Sequence, residues 1–264
     1  MTLTPPHPDT RTQLRPAAFF DLDRTMVAGS SGAAILVEMY HEGILGRRAL
    51  VRESSIAVRF RLWGIDDDTT DAVLARIAGY VTGVHHSRLD AVTANALERI
   101  QPRVFPSIVG RVRAHQQAGE RVYLVTASSQ EFAEAFAATL DLDGAIGSRS
   151  EIVDGRYTGR PGGPFVYGEG KVTAITALAA AEGLDLSASV AYSDSISDLP
   201  MLRAVGRPVA VNPDKELRKI AEEEGWEILA VDHLAKRLRA AAAATAGVGV
   251  AALATRLLRP RLGR

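Results

Sequence analysis

No cysteine occurs among the 264 residues. A disulfide framework, a thiolate metal site and a cysteine nucleophile are therefore excluded. Charge excess is also missing: Lys and Arg total 31, and so do Asp and Glu. With no net field, nucleic acid is not expected as a partner. Residues 1–15 are rich in Pro and Thr and lack the apolar stretch of a secretory signal, so they read as a loose N-terminal tail and the protein as cytoplasmic. Acidic residues vanish from His233 to the end, where Lys236, Arg237, Arg239, Arg256, Arg259, Arg261 and Arg264 remain. Between Arg239 and Arg256 lie 16 uncharged residues, mostly Ala, short of the roughly 20 that a spanning helix wants. This basic, Ala-rich tail, residues 233–264, fits either a helix packed on the domain or membrane contact, with Arg side chains snorkelling to anionic lipid.

What is present starts at Asp21-Leu22-Asp23-Arg24-Thr25, directly after the apolar run Ala17-Ala18-Phe19-Phe20. A short buried strand there ends by presenting two carboxylates and a hydroxyl. Side chains two apart on an extended strand point the same way, so Asp21 and Asp23 can reach one small ligand. Two like charges held that close need a cation, or a proton on one of them.

Residues 33–104 then carry helical patterns alone: Ala33 to His41, Arg47 to Trp63, Asp71 to Tyr80 after the start signal Asp66-Asp67-Asp68-Thr69, and Ser87 to Arg99. In the second of these, Arg48, Arg52 and Arg59 lie near one face, which suits a solvated surface or an anionic ligand. His85-His86 reads as loop. From Phe105 the rhythm alternates. Helices are expected at Pro106–Gln117, Glu131–Leu140, Lys171–Glu182, Ser197–Val205 and Asp214–Glu224. Strands are expected at Val122–Val125, Ser189–Tyr192, Pro208–Val211 and Trp226–Val231, with a hairpin over Ile146–Thr158 turning at Asp154-Gly155. Alternation of this kind predicts an α/β fold with a doubly wound, mainly parallel sheet, formed by residues 16–32 and 105–232. Ligands bind beyond the carboxyl ends of such strands, so the inserted helical bundle would cover the site as a lid.

The strand ends gather one chemistry. Asp21, Asp23, Thr126, Lys171, Asp194 and Asp198 would bring carboxylates, a hydroxyl and an ammonium to one pocket. Mg²⁺ is a hard ion that takes one or two carboxylates, waters and a phosphate oxygen. An anionic nucleophile approaching a phosphate dianion meets roughly 4 kcal/mol of repulsion per charge pair at 4 Å. A metal ion and a fixed Lys can reverse that. The bland alternatives are that Asp198 caps the helix toward Leu202, that Thr126 or Ser128 caps the Glu131 helix, and that Lys171 lies on the surface.

The set Asp21-Leu22-Asp23-Arg24-Thr25, Leu124-Val125-Thr126, Lys171 and Ser193-Asp194-Ser195-Ile196-Ser197-Asp198 resembles the four motifs of the haloacid dehalogenase superfamily of phosphatases. The closest likeness is to its phosphoserine-phosphatase-like subfamily IB, whose lid also follows the first motif. The resemblance implies a Mg²⁺-dependent hydrolase of small phosphomonoesters. By the same resemblance Asp21 is nucleophile and metal ligand, and Asp23 is acid and base with its carbonyl on the metal. Thr126 holds the phosphoryl group, with Ser128 as rival. Lys171 orients Asp21, Asp194 binds Mg²⁺ and Asp198 acts from behind them. Two departures stand out. Val27-Ala28-Gly29-Ser30-Ser31 lacks the acid that phosphoserine phosphatases keep near the first motif, and Thr126-Ala127-Ser128 replaces their Ser-Gly-Gly. Both point away from free phosphoserine. Phosphoserine hydrolysis, phosphoryl transfer to an acceptor alcohol and non-catalytic sensing of a phosphorylated ligand stand as alternatives.

Overall fold

The computed structural model describes residues 14–53, 55 and 76–231. Its first strand, β1 (Ala17–Phe20), is built from small and aromatic residues with no exposure at all. Such a strand can only sit in the middle of a sheet, and it does. β1 pairs in parallel with β2 (Arg121–Ser129) on one side and β6 (Val190–Ser193) on the other. The full order is β3-β2-β1-β6-β7-β8, with β3 (Gly144–Ser148), β7 (Arg207–Val211) and β8 (Glu227–Leu229) all parallel to their neighbours. Strand order therefore reverses between β1 and β6, which is where such sheets open a crevice for ligands. Asp21 follows one of these strands and Asp194 the other.

Helices α1 (Ser31–His41), α2 (His86–Ile100), α3 (Pro106–Gln117), α4 (Gln130–Ala138), α5 (Glu169–Glu182), α6 (Leu199–Arg203) and α7 (Lys215–Glu223) follow the strands or fill the insertion. Phe20 and Tyr192 stack at 4.2 Å across β1 and β6, both buried. Truncating one such buried ring costs about 3–5 kcal/mol, so the strands that carry Asp21 and Asp194 are rigidly joined.

Four expectations need correction. β2 runs to Ser129 rather than Val125, with its register against β3 shifted between Val125 and Ser129. The presumed hairpin from Ile146 is three strands. β3 belongs to the main sheet, while β4 (Ser150–Val153) and β5 (Arg156–Pro161) form the hairpin. Gly144 and Gly147 hid β3, because glycine weakens a strand signal. Gly147 is needed there: a Cβ would stand 2.8 Å from the Gln130 backbone. The helix expected at Ser197–Val205 is a 3-10 turn, Ile196–Asp198, leading into α6. Finally, Thr25 presents no hydroxyl to solvent. The chain turns at Arg24 (φ 63°) and carries Thr25 fully inside, where its Oγ1 has no hydrogen-bond partner.

The hairpin turn falls at Asp154 and Gly155, both with positive φ, as a tight two-residue turn demands. It does not join the main sheet. Gly83 N–H donates to the Tyr157 carbonyl at 2.7 Å, Tyr157 N–H to Val84 at 3.0 Å and His86 N–H to Gly155 at 2.9 Å. Tyr157 is buried in a cluster with Met39, Leu45, Val81 and Val92 of the insertion. His85 caps α2 through the Ser87 N–H. Residues 47–53 and 76–81 are helical, and Arg52 lies beside Glu53 and Tyr80. Arg15, placed in the tail by sequence, is already tied to Gly183 and Asp185 by backbone bonds of 3.0 and 2.9 Å. Arg59, the Asp66–Thr69 start signal, residues 1–13 and the stretch from 232 onward lie outside the described residues. Among the described residues no helix is long and apolar enough to cross a membrane.

Candidate active site

Lys171 is the hinge of the site. Gly168, with φ 51°, turns the chain into α5 and puts Lys171 in its first turn. Gly170 lets that turn close, since a Cβ would stand 1.9 Å from the Phe165 carbonyl. The side chain is buried and its Nζ donates to Asp21 Oδ1 and Asp198 Oδ2, each at 2.7 Å. Lys171 is thus not a surface residue. Burial alone would lower its pKa, but Asp198 and Asp21 outweigh that and raise it.

Asp198 caps nothing. It stands at the N-cap of α6 without a side-chain cap bond. Its Oδ2 instead accepts from Lys171 and from the buried Ser193 hydroxyl at 2.6 Å. Asp214 braces the same loop. Its Oδ2 accepts from Ile196 N–H, and its own N–H donates to the Asp194 carbonyl, both at 2.8 Å.

Asp21 and Asp194 come out under-compensated. Burial pushes Asp21 up to about 7 despite Lys171, with Asp198 and Asp23 adding like charge. Burial and then the Asp21 charge push Asp194 up to about 8. The Arg24 guanidinium lies 2.5 Å from Asp194 Oδ2 as an ion pair, yet it is not aligned to donate, and among the described residues that buried oxygen accepts no hydrogen bond. Asp23 is held by the next element. Its Oδ1 accepts from Ser31 N–H at 2.7 Å and its Oδ2 from the Ser30 hydroxyl at 3.2 Å, the start of α1. Burial of the carboxyl still raises Asp23 above its ordinary range.

Thr126 is buried on β2, and its Oγ1 accepts from Ser128 N–H at 3.2 Å. Neither Thr126 nor Ser128 caps α4; Ser129 does, accepting from Phe132 N–H. Two surface grooves of about 480 and 450 Å³ are lined by none of these residues.

The donor set fits a hard cation. Among the described residues no three His, Asp or Glu side chains form a metal cluster. Mg²⁺ needs fewer, one or two carboxylates with carbonyl and water oxygens. Asp21 and Asp194 supply two mutually repelling carboxylates, one with a buried oxygen that accepts no hydrogen bond among the described residues, and in both burial outweighs the nearby Lys171 and Arg24 charges.

Sequence reasoning brought Asp21, Asp23, Thr126, Lys171, Asp194 and Asp198 to attention. It did not single out Ser193, Asp214, Ser31 or Arg24. The run of serines around Asp194 was the available signal for the first of these, and the remaining three depend on loop geometry that spacing does not encode.

The chain is similar to known proteins. Residues 18–203 match the haloacid dehalogenase-like hydrolases. A probable phosphatase of Mycobacterium tuberculosis (strain ATCC 25618 / H37Rv) is 39% identical over 261 residues, 95% of this chain and 91% of that protein. A phosphoserine phosphatase of the same strain is 36% identical over 255 residues, 92% of this chain and 81% of the relative. The crystal structure of a protein of unknown function from Bordetella pertussis Tohama I has a TM-score of 0.73 and 30% identity, covering 83% of this chain and 99% of that one. The match spans well over half the chain, and two relatives exceed 30% identity over most of it. This chain belongs to the haloacid dehalogenase-like hydrolase family.

Proposed function

We propose that the chain is a Mg²⁺-dependent phosphomonoesterase that works through an aspartyl-phosphate on Asp21. The observation that carries this reading is the buried Lys171 ammonium held between Asp21 and Asp198, beside an Asp194 carboxylate whose Oδ2 accepts no hydrogen bond among the described residues.

Mg²⁺, held by Asp21, Asp194 and the Asp23 carbonyl, would neutralise charge on the bound phosphate. The protein does the rest. Lys171 fixes Asp21 Oδ1, leaving the other carboxylate oxygen to attack phosphorus. The ester P–O bond breaks, and Asp23 gives its proton to the departing alkoxide. Its raised pKa suits that first role, and the α1 N–H and Ser30 hydroxyl suit the ionised form that follows. Asp23 then takes a proton from water, which attacks phosphorus, breaks the bond to Asp21 and releases inorganic phosphate. Thr126 offers its hydroxyl proton to the phosphoryl oxygens.

The core in this reading is residues 16–32 and 105–232, and residues 33–104 form the lid, joined by the β4–β5 hairpin. The phosphoserine phosphatase among the relatives supports an amino-acid phosphate as substrate. The site favours a phosphomonoester without an ammonium. Ser30 and Ser31 stand where an acid would be needed, and Glu38 on α1 is already held by Arg99 and His41. A missing charged partner costs an ammonium ligand roughly ten- to hundredfold.

The test is phosphate release from an aryl phosphate with Mg²⁺. Asp21→Asn should lose about 10⁴-fold or more in kcat while its fold is retained. Full activity in that variant, or activity indifferent to EDTA, sinks the reading.

A further inference from the structure

Asp214 belongs to none of the four motifs, yet it holds the loop that carries two of the site's acids. Its carboxylate oxygens have separate tasks. Oδ1 accepts from Leu217 N–H at 2.9 Å and so caps α7. Oδ2 accepts from Ile196 N–H at 2.8 Å, while the Asp214 N–H donates to the Asp194 carbonyl at 2.8 Å. One residue thus grips the main chain on both sides of Ser195, between Asp194 and Asp198. Asp214 is fixed in turn by the sheet. β7 pairs with β6 and β8, the chain turns at Asn212 (φ 43°), whose N–H donates to the Leu229 carbonyl at 2.9 Å, and Pro213 is buried.

A helix cap alone does not account for this. Capping needs one acceptor, which a Ser, Thr or Asn side chain supplies as well as an Asp. The second oxygen serves the loop, not the helix. That loop has a reason to be held. Asp194 is buried, and the Asp21 charge works against its ionised form. Left free, the two carboxylates would separate, and a cation would have to order the loop as it bound. Groups that orient a metal ligand from behind commonly set metal affinity by about 10- to 100-fold.

We propose that Asp214 is a positioning residue for the metal: by clamping residues 194–196 it holds the Asp194 carboxylate where it can share Mg²⁺ with Asp21. This deepens the phosphatase reading and rests on it. Asp214 touches neither metal nor substrate, and acts only through the main chain of Asp194 and Ile196. The same clamp steadies the turn that delivers Asp198 to Lys171 at 2.7 Å.

The test is Mg²⁺ binding to the metal-free full chain, read by calorimetry, with two variants that separate the tasks. Asp214→Ser keeps a capping oxygen and the N–H to Asp194, but that oxygen is one bond closer to the main chain and does not also reach Ile196. Asp214→Ala loses the cap as well. Both should weaken Mg²⁺ binding about tenfold or more, and both should raise the Mg²⁺ concentration for half-maximal turnover of an aryl phosphate by the same factor. Melting temperatures of the metal-free proteins should rank differently, with Asp214→Ser nearer the wild type because it retains the cap. Wild-type Mg²⁺ affinity in Asp214→Ser overturns the inference while the hydrolase stands, whether or not Asp214→Ala is weakened, since any loss then belongs to α7. Turnover that falls in both variants with Mg²⁺ affinity unchanged overturns it too. Should Asp214→Ala fail to fold, Asp214→Ser decides alone. A wild-type chain that binds no Mg²⁺ and turns over in EDTA fails the parent reading instead.

Discussion

Two buried acidic clusters, one in the helical segment after β1 and one at the strand ends, are built on opposite principles. In the insertion, Glu38 is 4% exposed and accepts from Arg99 at 2.8 and 2.5 Å and lies 3.2 Å from His41. Burial alone would raise it, but Arg99 and His41 hold it below its usual range. Glu53 is treated the same way by Arg76, Tyr80 and Arg52. In the core, Asp21 and Asp198 share Lys171, and Arg24 reaches Asp194, poorly aligned. There burial wins, and Asp21 and Asp194 are pushed up. A cluster that serves stability brings its own counter-ions. One that serves chemistry leaves a deficit for a ligand to fill.

Lys171→Met should break the comparison most violently. It removes the cation between two buried carboxylates, so activity should vanish and stability should fall by about 3–5 kcal/mol, measured by urea unfolding. An unchanged midpoint would mean that solvent, not Lys171, compensates the acids.

Asp194→Asn should move the other way. Both Asp21 and Asp194 have folded pKa values above the ordinary 3.8. The folded, metal-free chain then holds more protons than the unfolded one, so stability falls as pH rises from about 4 toward 8. Replacing Asp194 by a neutral amide should raise the metal-free melting temperature at pH 8 and leave it unchanged near pH 4. In the wild type the stabilisation by Mg²⁺ should grow over the same window. A Mg²⁺ shift that is flat with pH, or that survives in Asp194→Asn, contradicts the deficit.

Glu38→Gln gives the smallest effect and sharpens the contrast. It should cost about 1–2 kcal/mol above pH 5, because Arg99 is partly exposed and can turn to water. Since the Glu38 pKa is lowered, its contribution is present above its ordinary value of 4.5 and is lost as pH falls below that. Activity on an aryl phosphate should stay within about threefold.

The sequence carried the inventory of candidate-site residues better than the local geometry. Apolar runs that stop just before Asp21, Thr126 and Asp194 leave little choice about which residues meet, because a parallel sheet aligns its carboxyl ends. The strand β3 escaped notice because Gly144 and Gly147 dilute its pattern, although packing against Gln130 demands one of them. Helix α6 was overextended because the 3-10 turn before it looks helical in composition, and Asp198 was free to be a cap until Lys171 was seen beside it. That the hairpin packs with the insertion could not be read from spacing. It depends on Tyr157 finding Met39 and Val92, more than sixty residues away in the chain.

Everything turns on covalent capture at Asp21. The most direct measurement is mass spectrometry of the peptide containing Asp21, after acid quench of the enzyme turning over an aryl phosphate with Mg²⁺. The expected result is one phosphoryl group on that peptide, on Asp21 and absent from Asp21→Asn. Sustained turnover with that peptide unmodified, or the phosphoryl group found on another residue, would contradict it.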